Sequence, residues 1–418
     1  MFDPKKSAKI KETISVNRIR RVNMDIKVFE LKIDEGKLSK VKLKRLNDCF
    51  IQAKWIYNYI IGAEKIFEFE DKNKEIAVNI FNPVSQKCDL VEMRNLTLGS
   101  QIKQSIVERA GQNVINLAKA KKAGSPIGKL KFKKQVNSIP LKQFGVTFRF
   151  HGKSHCSIQS IGKMRVSGLC QLKGHEIANA VLLKKATGYF IKVTCYVNKE
   201  ILKLDGEIGL DFGIKDSIVT SNGDKYNFIF PIPKELKTKQ KRLARKQKGS
   251  KNYSKQCSKI KKSYEKLTQK KNDAANKFVS SLKGYKLVAI QDENIQGWHA
   301  NLFGKQVQQS ILGRIKSKVK FLPTSIVLNR WLPTTKISPV DGSLIPMPLN
   351  QRIFQHEDYS EDRDIKSAKT ILALARYNPR ISAQELSNLP VEERTAIFYE
   401  IYPIKDKFIP AKQEAASL

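Results

Sequence analysis

The stretch GLDFGIKDS, residues 209–217, places an aspartate where the surrounding residues predict a buried strand. Asp211 lies between Leu210 and Phe212, and Ile208 extends the apolar run. A carboxylate buried among apolar side chains costs several kcal/mol unless it is paired with a cation or bound to a metal ion. The position of Asp211 therefore predicts a functional role and not a place in a packed core.

Two further pairs of acidic residues stand at the ends of predicted elements. One pair stands at the end of the buried strand predicted within 285–298, and the other stands at the start of a helix predicted over 360–377. The pairs are Asp292 with Glu293 and Asp362 with Asp364. Each also has a structural interpretation, because acids are common where strands end and in the first turns of helices. Together with Asp211 they form a set of oxygen ligands that suits Mg²⁺. Two such ions can hold the attacking and the leaving oxygens when a phosphodiester is cut.

The charge of the chain points to a polyanionic partner. Its 418 residues carry a formal net charge of +39, from 78 Lys and Arg against 39 Asp and Glu. This excess is too large for an ordinary enzyme of small metabolites and favours nucleic acid. A ribosomal-type structural protein and a membrane-surface binder are the alternatives. No run approaches the ~20 apolar residues of a membrane span, so we expect no membrane partner.

The ends and the cysteines of the chain indicate its compartment. The first residues lack the apolar core of a secretory signal. The six cysteines are scattered without a CxxC pair, which is typical of reduced thiols. We therefore expect a cytoplasmic protein without disulfides.

The most basic tract of the chain is residues 234–271, which hold 16 Lys and Arg against two Glu. Apolar residues recur along its later part at the spacing of one helical face, so the pattern predicts an amphipathic helix. A solvated helix face usually mixes both signs of charge, and this one does not. We therefore predict that it binds nucleic-acid phosphates, through Lys241, Arg242, Arg245, Lys246, Lys248 and Lys251.

The first 205 residues predict a small β-domain into which a helical segment is inserted. Alternating patterns predict strands at 24–34, 144–152, 164–172 and 188–197, and helical periodicity predicts helices at about 38–69 and 101–120. Four prolines among the last forty residues predict a loosely ordered tail.

The order of the motifs resembles the TnpB family of transposon-encoded, RNA-guided nucleases, which are related to the type V CRISPR effectors. The motifs are GLDFGIKxSxxTSNG, the long basic helix, VAIQDENIQGW, RWLPTTK and DRDxxxAxxIL, and they span about residues 125–376. The resemblance implies an α/β multidomain protein with an RNase H-like (RuvC) nuclease domain and an N-terminal wedge β-barrel carrying an inserted helical recognition domain. It also implies a guide RNA, double-stranded target DNA, and cutting with Mg²⁺, with two ions expected.

This resemblance predicts the domain boundaries. The wedge domain comprises 1–36 and 123–205, the helical domain 37–122, the nuclease domain 206–376 and the tail 377–418. Within the nuclease domain we expect a basic bridging helix at 234–283 and a cysteine-free remnant of a zinc ribbon at 331–361.

Motif positions assign the site residues. Asp211 matches the first catalytic aspartate of the family and Asp364 the third. Counting back from Gly297 puts Gln291 at the position of the usual glutamate. Because side chains alternate along a strand, Glu293 shares a face with Gln291 while Asp292 points away. The resemblance and this alternation predict Asp211, Glu293 and Asp364 as the catalytic Mg²⁺ ligands.

Two departures from the family pattern follow. The interval between RWLPTTK and DRD has no cysteine, and its register puts Ser338, Asp341, His356 and Tyr359 near the usual zinc-ligand positions. These do not make a tetrahedral zinc site, so we expect no zinc. Lys366 replaces an asparagine common after the third aspartate, which puts one local hydrogen bond in doubt, although a lysine there could instead touch a phosphate.

The leading hypothesis is an RNA-guided DNA endonuclease. The alternative is a nuclease-inactive relative that keeps guide-RNA and DNA binding and acts as a repressor, which Gln291 and the missing zinc ligands keep open. GLDFG also loosely resembles the phosphate loop of sugar kinases and actin-like ATPases. That third hypothesis predicts nucleotide binding and leaves the basic tract unexplained.

Overall fold

The computed structural model describes residues 4–62, 76–82, 87–93, 98–200, 203–300, 303–348, 350–357, 359–399 and 401–402. The chain forms two compact units, Met1–Glu200 and Ile201–Leu418. Both units combine helices with strands, as expected for an α/β protein. In the part of the chain that the structure describes, no helix is long and apolar enough to cross a membrane.

The first unit is built on a seven-stranded antiparallel sheet. Its strands are β1 (Met24–Ile33), β4 (Ser138–Leu141), β5 (Phe148–His151), β6 (His155–Ile158), β7 (Gly162–Ser167), β8 (Glu176–Lys185) and β9 (Gly188–Asn198), and a separate hairpin comprises β2 (Ile76–Asn82) and β3 (Lys87–Met93). The strand order of the large sheet is β4-β8-β9-β1-β7-β6-β5.

This sheet must curl towards a barrel. Its two edge strands, β4 and β5, are consecutive in the chain, and only residues 142–147 connect them. Six strand spacings would separate the edges of a flat sheet by about 29 Å. The seven steps from Leu141 to Phe148 reach at most about 25 Å. The connection therefore brings the edges closer than a flat sheet allows, so the sheet is close to a barrel.

Two helices close one side of this sheet. They are α2 (Lys40–Gly62) and α3 (Ser100–Lys122), and α1 (Pro4–Val22) precedes β1. Buried residues of α2, α3 and the strands form one apolar cluster. Both predicted helices exist, although the end of the first prediction, 63–69, lies outside the described residues.

Two predicted strands of this unit are shorter than expected. The strand predicted from 144 begins at Phe148, because the Thr147 N–H donates to the Gln143 carbonyl in a turn. The strand predicted over 164–172 ends at Ser167, and Leu169–Leu172 form a 3-10 turn instead.

The second unit contains a five-stranded mixed sheet in the order β12-β11-β10-β13-β14. The strands are β10 (Glu207–Phe212), β11 (Ile218–Thr220), β12 (Lys225–Tyr226), β13 (Leu287–Gln291) and β14 (Ser325–Leu328). The strands β10, β13 and β14 are parallel, so their carboxyl ends meet at one edge. The apolar run around Asp211, for which the sequence predicts a strand, forms an antiparallel pair, β10 and β11.

Helices and one hairpin surround this sheet. They are α4 (Lys234–Ala244), α5 (Lys251–Ser281), α6 (Ile295–Ala300), α7 (Gly304–Gln309), α8 (Leu312–Val319), α9 (Arg363–Tyr377), α10 (Ala383–Asn388) and α11 (Val391–Tyr399), with a hairpin of β15 (Ile353–His356) and β16 (Tyr359–Asp362). The helix α9 lies directly on β10, because Gly209 has no side chain: a Cβ there would collide with the Ala368 carbonyl oxygen.

The basic tract forms two helices and not the single helix predicted over 234–283. Gly249, at φ +86°, lies in the connection between α4 and α5. Ser250 then caps α5 by accepting a hydrogen bond from the Tyr253 N–H, 3.1 Å long. The helix α4 folds back on α5, where the buried Gln256 donates to the Lys239 carbonyl over 2.9 Å.

The C-terminal segment is ordered as far as it is described, so the prediction of a loose tail is wrong for residues 377–402. The helices α10 and α11 pack on α9 through Ile381, Leu386, Phe398 and Tyr402, which are all buried. The prolines at 379 and 390 precede these short helices and do not prevent them. Residues 403–418 lie outside the described part of the chain.

Candidate active site

Asp211 lies near the carboxyl end of β10, half-buried in the wall of a cavity. Burial raises the pKa of its carboxyl well above the ordinary value, and the nearby carboxylates of Asp364 and Glu293 raise it further. The Arg363 guanidinium and the Phe212 N–H act in the opposite direction. Three acids therefore interact electrostatically although they come from separate parts of the chain.

Glu293 follows the end of β13, two residues beyond Gln291. Burial raises the pKa of its carboxyl, and the cations Lys316 and Arg330 oppose that rise. The backbone carbonyl of Glu293 accepts a hydrogen bond from the Lys316 ammonium, which fixes this loop.

Asp364 occupies the first turn of α9, and Asp362 is the residue that caps this helix. The Asp362 carboxylate accepts from the Asp364 N–H at 2.9 Å and from the Ile365 N–H at 3.3 Å. The Asp364 carboxylate instead contacts Arg363 at 3.2 Å and Arg352 at 3.7 Å. Because Asp362 already caps the helix, the Asp364 carboxylate is not needed as a cap and faces the cavity.

The three acids line one cavity of about 660 Å³. Its wall also contains four cations and three aromatic residues. These residues are Lys215, Arg330, Arg352 and Arg363, with Phe212, Trp298 and Phe303. Among the described residues, no three Asp, Glu, His or Cys side chains are close enough to hold a metal ion as they stand. The acids thus share a cavity, and Asp364 is turned to its arginines.

Gln291, at the position of the expected glutamate, is a structural clamp. Its buried amide donates to the carbonyls of Asn329 (3.0 Å) and Leu332 (2.8 Å) and accepts from the Thr334 hydroxyl (3.1 Å). A carboxylate could not donate these two hydrogen bonds. The amide therefore suits a residue that holds the loop 329–334.

Asp292 points away from the acids, as strand alternation predicts, and holds three cations. Its carboxylate contacts Lys316 at 2.8 Å, Lys320 at 2.6 Å and Arg330 at 2.9 Å. Hydrogen bonds from Lys316 and Lys320 keep its pKa far below the ordinary value. This cluster was not predicted from the sequence, although Lys316 and Lys320 stand one helical turn apart.

Three of the four residues at the zinc-ligand positions meet in a polar cluster. The Ser338 hydroxyl lies 3.0 Å from His356 Nδ1, and the Asp341 carboxylate lies 3.8 Å from the same atom. Tyr359 points elsewhere and donates to Glu361 over 2.5 Å. Hydrogen bonds therefore join the two halves of this segment.

Lys366 is fully buried, so its ammonium presents no exposed charge that could touch a phosphate. Its ammonium donates to the carbonyls of Thr334 (3.2 Å) and Thr335 (3.1 Å) and lies 4.2 Å from the centre of the Phe354 ring. Burial lowers its pKa to about 7. Lys366 thus supports the same loop that Gln291 holds.

The six predicted phosphate-binding cations lie where α4 ends, in the connection, and where α5 begins. Five of them are exposed and Lys246 is half-buried. Their role stays a prediction.

The site is therefore a carboxylate-lined cavity at the carboxyl edge of a mixed sheet, in a unit that also contains a strongly basic helical pair. A family model described as a probable transposase, OrfB_IS605, matches residues 198–298, which include Asp211, the basic helices and Glu293. This match confirms the resemblance to the TnpB family.

No curated protein matches the chain significantly. Among solved structures, the chain is similar to one in a cryo-EM structure of a Cas12f1–sgRNA–target DNA complex, at 13% identity over 83% of this chain and 99% of that chain. The TM-score is 0.24, so the arrangement of the site rests on the geometry above and not on this similarity.

Proposed function

We propose that the chain is an RNA-guided DNA endonuclease, which binds a guide RNA and cuts complementary double-stranded DNA with a Mg²⁺-dependent site. The observation that carries this proposal is the single cavity lined by Asp211, Glu293 and Asp364. The transposase-family match supports the nuclease class.

The donor set suits a hard divalent cation. Burial and the carboxylates of Asp364 and Glu293 raise the pKa of Asp211, and a cation between the three acids would relieve both the burial cost and the mutual repulsion. Asp211, Glu293 and Asp364 would hold the Mg²⁺ ions, for which Asp364 must turn from Arg352 and Arg363. When bound, Mg²⁺ supplies the activation of water and the stabilisation of the leaving oxygen.

The other residues of the cavity position the substrate. Arg330 and Lys215 provide positive charge at the wall, where they can hold a phosphodiester against the acids. Trp298 and Phe303 provide apolar surface that limits the access of water.

The domains of the chain are assigned on the same proposal. We assign the wedge to 1–36 and 123–205, the helical recognition domain to 37–122 and the RuvC domain to 206–376, with α4 and α5 as its bridging element. The exposed cations from Lys241 to Lys251 would contact the phosphates of the guide RNA and the DNA. Residues 383–399 form a helical extension packed on α9.

A nuclease-inactive DNA-binding protein is the second candidate, and one observation favours it. Asp364 contacts two arginines, and no ready group of three metal ligands exists among the described residues. Such a protein would bind its target and not cut it.

One experiment tests the proposal. The copurifying RNA is sequenced, and a double-stranded DNA that matches its guide segment is incubated with the complex and Mg²⁺. We expect cutting that Asp211→Asn reduces by at least about 100-fold, because a metal ligand is lost. Tight binding without cutting by the unaltered chain would instead establish the second candidate.

A further inference from the structure

The cluster around Asp292 carries more positive charge than its own acid can neutralise. The Asp292 carboxylate contacts Lys316, Lys320 and Arg330. The Glu293 carboxylate also interacts with Lys316 and Arg330, so the three cations exceed the two nearby acids by one positive charge. Cations this close repel each other, and a further anion would relieve that repulsion. The side chains of Lys320 and Arg330 are 38% and 41% exposed, so both can reach such an anion while still touching Asp292.

The cluster borders the cavity of the three acids. Arg330 belongs to the cavity wall and to the Asp292 cluster at once. Asp292 and Arg330 follow the carboxyl ends of the neighbouring parallel strands β13 and β14. An anion on this cluster therefore lies next to the acids.

The residue after Arg330 is an exposed tryptophan. The Trp331 side chain is 77% exposed, although its loop is firmly held. Gln291 binds the carbonyls on both sides of the Arg330–Trp331 pair, at Asn329 and Leu332. The Trp331 N–H also donates to the Asn329 side chain over 3.0 Å. A rigid loop thus presents a large flat ring to solvent beside two cations.

Exposed aromatic rings next to cations are the chemistry of single-strand recognition. Successive bases stack on aromatic side chains while Lys and Arg contact the backbone, and this requires bases that are not paired. A duplex offers phosphates to the cations but keeps its bases stacked inside. The combination at Trp331 therefore favours an unpaired strand over a duplex.

We propose that Lys320, Arg330 and Trp331 form a landing site for an unpaired segment of DNA, which the two cations hold by its phosphates and the indole by one base. The choice of DNA over RNA rests on the proposed nuclease function. The segment leaving this site would pass into the cavity of the three acids, so the strand that is cut would be single-stranded there.

Photocrosslinking tests the landing site. The full chain with its copurifying RNA, carrying Asp211→Asn to prevent cutting, is irradiated with a short DNA strand that contains one 5-iodouracil, and crosslinked residues are mapped by mass spectrometry. We expect the main crosslink at Trp331. We also expect Trp331→Ala to weaken binding of the DNA strand by about tenfold or more, measured by competition with an unlabelled strand, because one stacked base is lost. Lys320→Gln should weaken this binding less.

The chain offers matched controls. Phe321 is the aromatic control, because it is 87% exposed but precedes β14, whereas Trp331 follows β14. Lys318 is the cation control, because it is an exposed residue of α8 that does not contact Asp292. Phe321→Ala and Lys318→Gln should leave the crosslink unchanged. All these side chains are exposed, so melting temperatures should match that of the parent chain.

Several results would overturn the proposal. They are the absence of a crosslink at Trp331, an equal crosslink at Phe321, and stronger competition by RNA or by duplex DNA than by single-stranded DNA. This test is independent of the nuclease proposal. A chain that crosslinks at Trp331 but never cuts its target would support the landing site and contradict the nuclease proposal. A chain that cuts its target without a crosslink at Trp331 would support the nuclease proposal and contradict the landing site.

Discussion

The residue that departs most instructively from expectation is Gln291. A glutamate at this position would suggest a metal ligand, yet the amide here clamps the loop that carries Arg330 and Trp331. Glu293, two residues on, lines the cavity instead. The amide of Gln291 therefore supports the loop, while the carboxylate that lines the cavity belongs to Glu293.

This interpretation predicts that Gln291→Glu does not improve the enzyme. The new carboxylate would be buried against the carbonyls of Asn329 and Leu332, with no proton to donate above its pKa. We expect a loss of about 2–4 kcal/mol in the free energy of unfolding, measured by urea denaturation at neutral pH. A variant as stable as the parent chain that cuts faster would show that position 291 is a metal-ligand position after all.

At the scale of elements, the placement of Asp364 depends on how closely α9 lies on β10. Gly209 permits this contact, because a side chain there would meet the backbone of Ala368. Gly209→Ala should therefore push α9 away and lower the free energy of unfolding by about 2 kcal/mol or more. Gly313→Ala in the exposed part of α8 is the control, since no atom lies near its Cβ position, and it should be neutral or slightly stabilising. Equal stability of both variants would contradict this packing.

The basic helical pair should contribute to nucleic-acid affinity through phosphates alone. Replacing Lys241, Arg242, Arg245 and Lys246 together by Gln should weaken binding at every sequence. It should also reduce the slope of log affinity against log salt by about 0.9 for each lost contact with duplex DNA. Fluorescence anisotropy over a salt series measures this slope. A slope equal to that of the parent chain would place these cations away from the bound nucleic acid.

At the scale of the whole molecule, local patterns predicted the elements better than the contacts between them. The apolar run around Asp211, the alternation at Gln291–Glu293 and the helix after Asp362 all follow from rules that span a few residues. The break between α4 and α5 was missed because the charge pattern continues through Gly249, although a glycine followed by a capping serine is a local signal.

Other features depend on distant parts of the chain. Asp292 gathers cations from α8 and from the loop after β14, which no local spacing reveals. Lys366 is buried because the loop 334–335 supplies carbonyls to its ammonium. The packing of Phe398 and Tyr402 on α9 likewise outweighs the prolines that suggested a tail. Tertiary contacts decided each of these cases.

The most direct test of the account is whether the three acids bind a divalent metal. Mn²⁺ binding to the full chain is measured by electron paramagnetic resonance, for the parent chain, Asp211→Asn and the control Asp224→Asn, whose side chain is exposed on the turn before β12. The raised pKa of Asp211 means that protons compete with the metal, so affinity should increase as the pH rises through that pKa.

We predict that the parent chain and Asp224→Asn bind Mn²⁺ more tightly as the pH rises, and that Asp211→Asn loses this binding. Equal Mn²⁺ affinity in Asp211→Asn and the parent chain would contradict the proposed metal site.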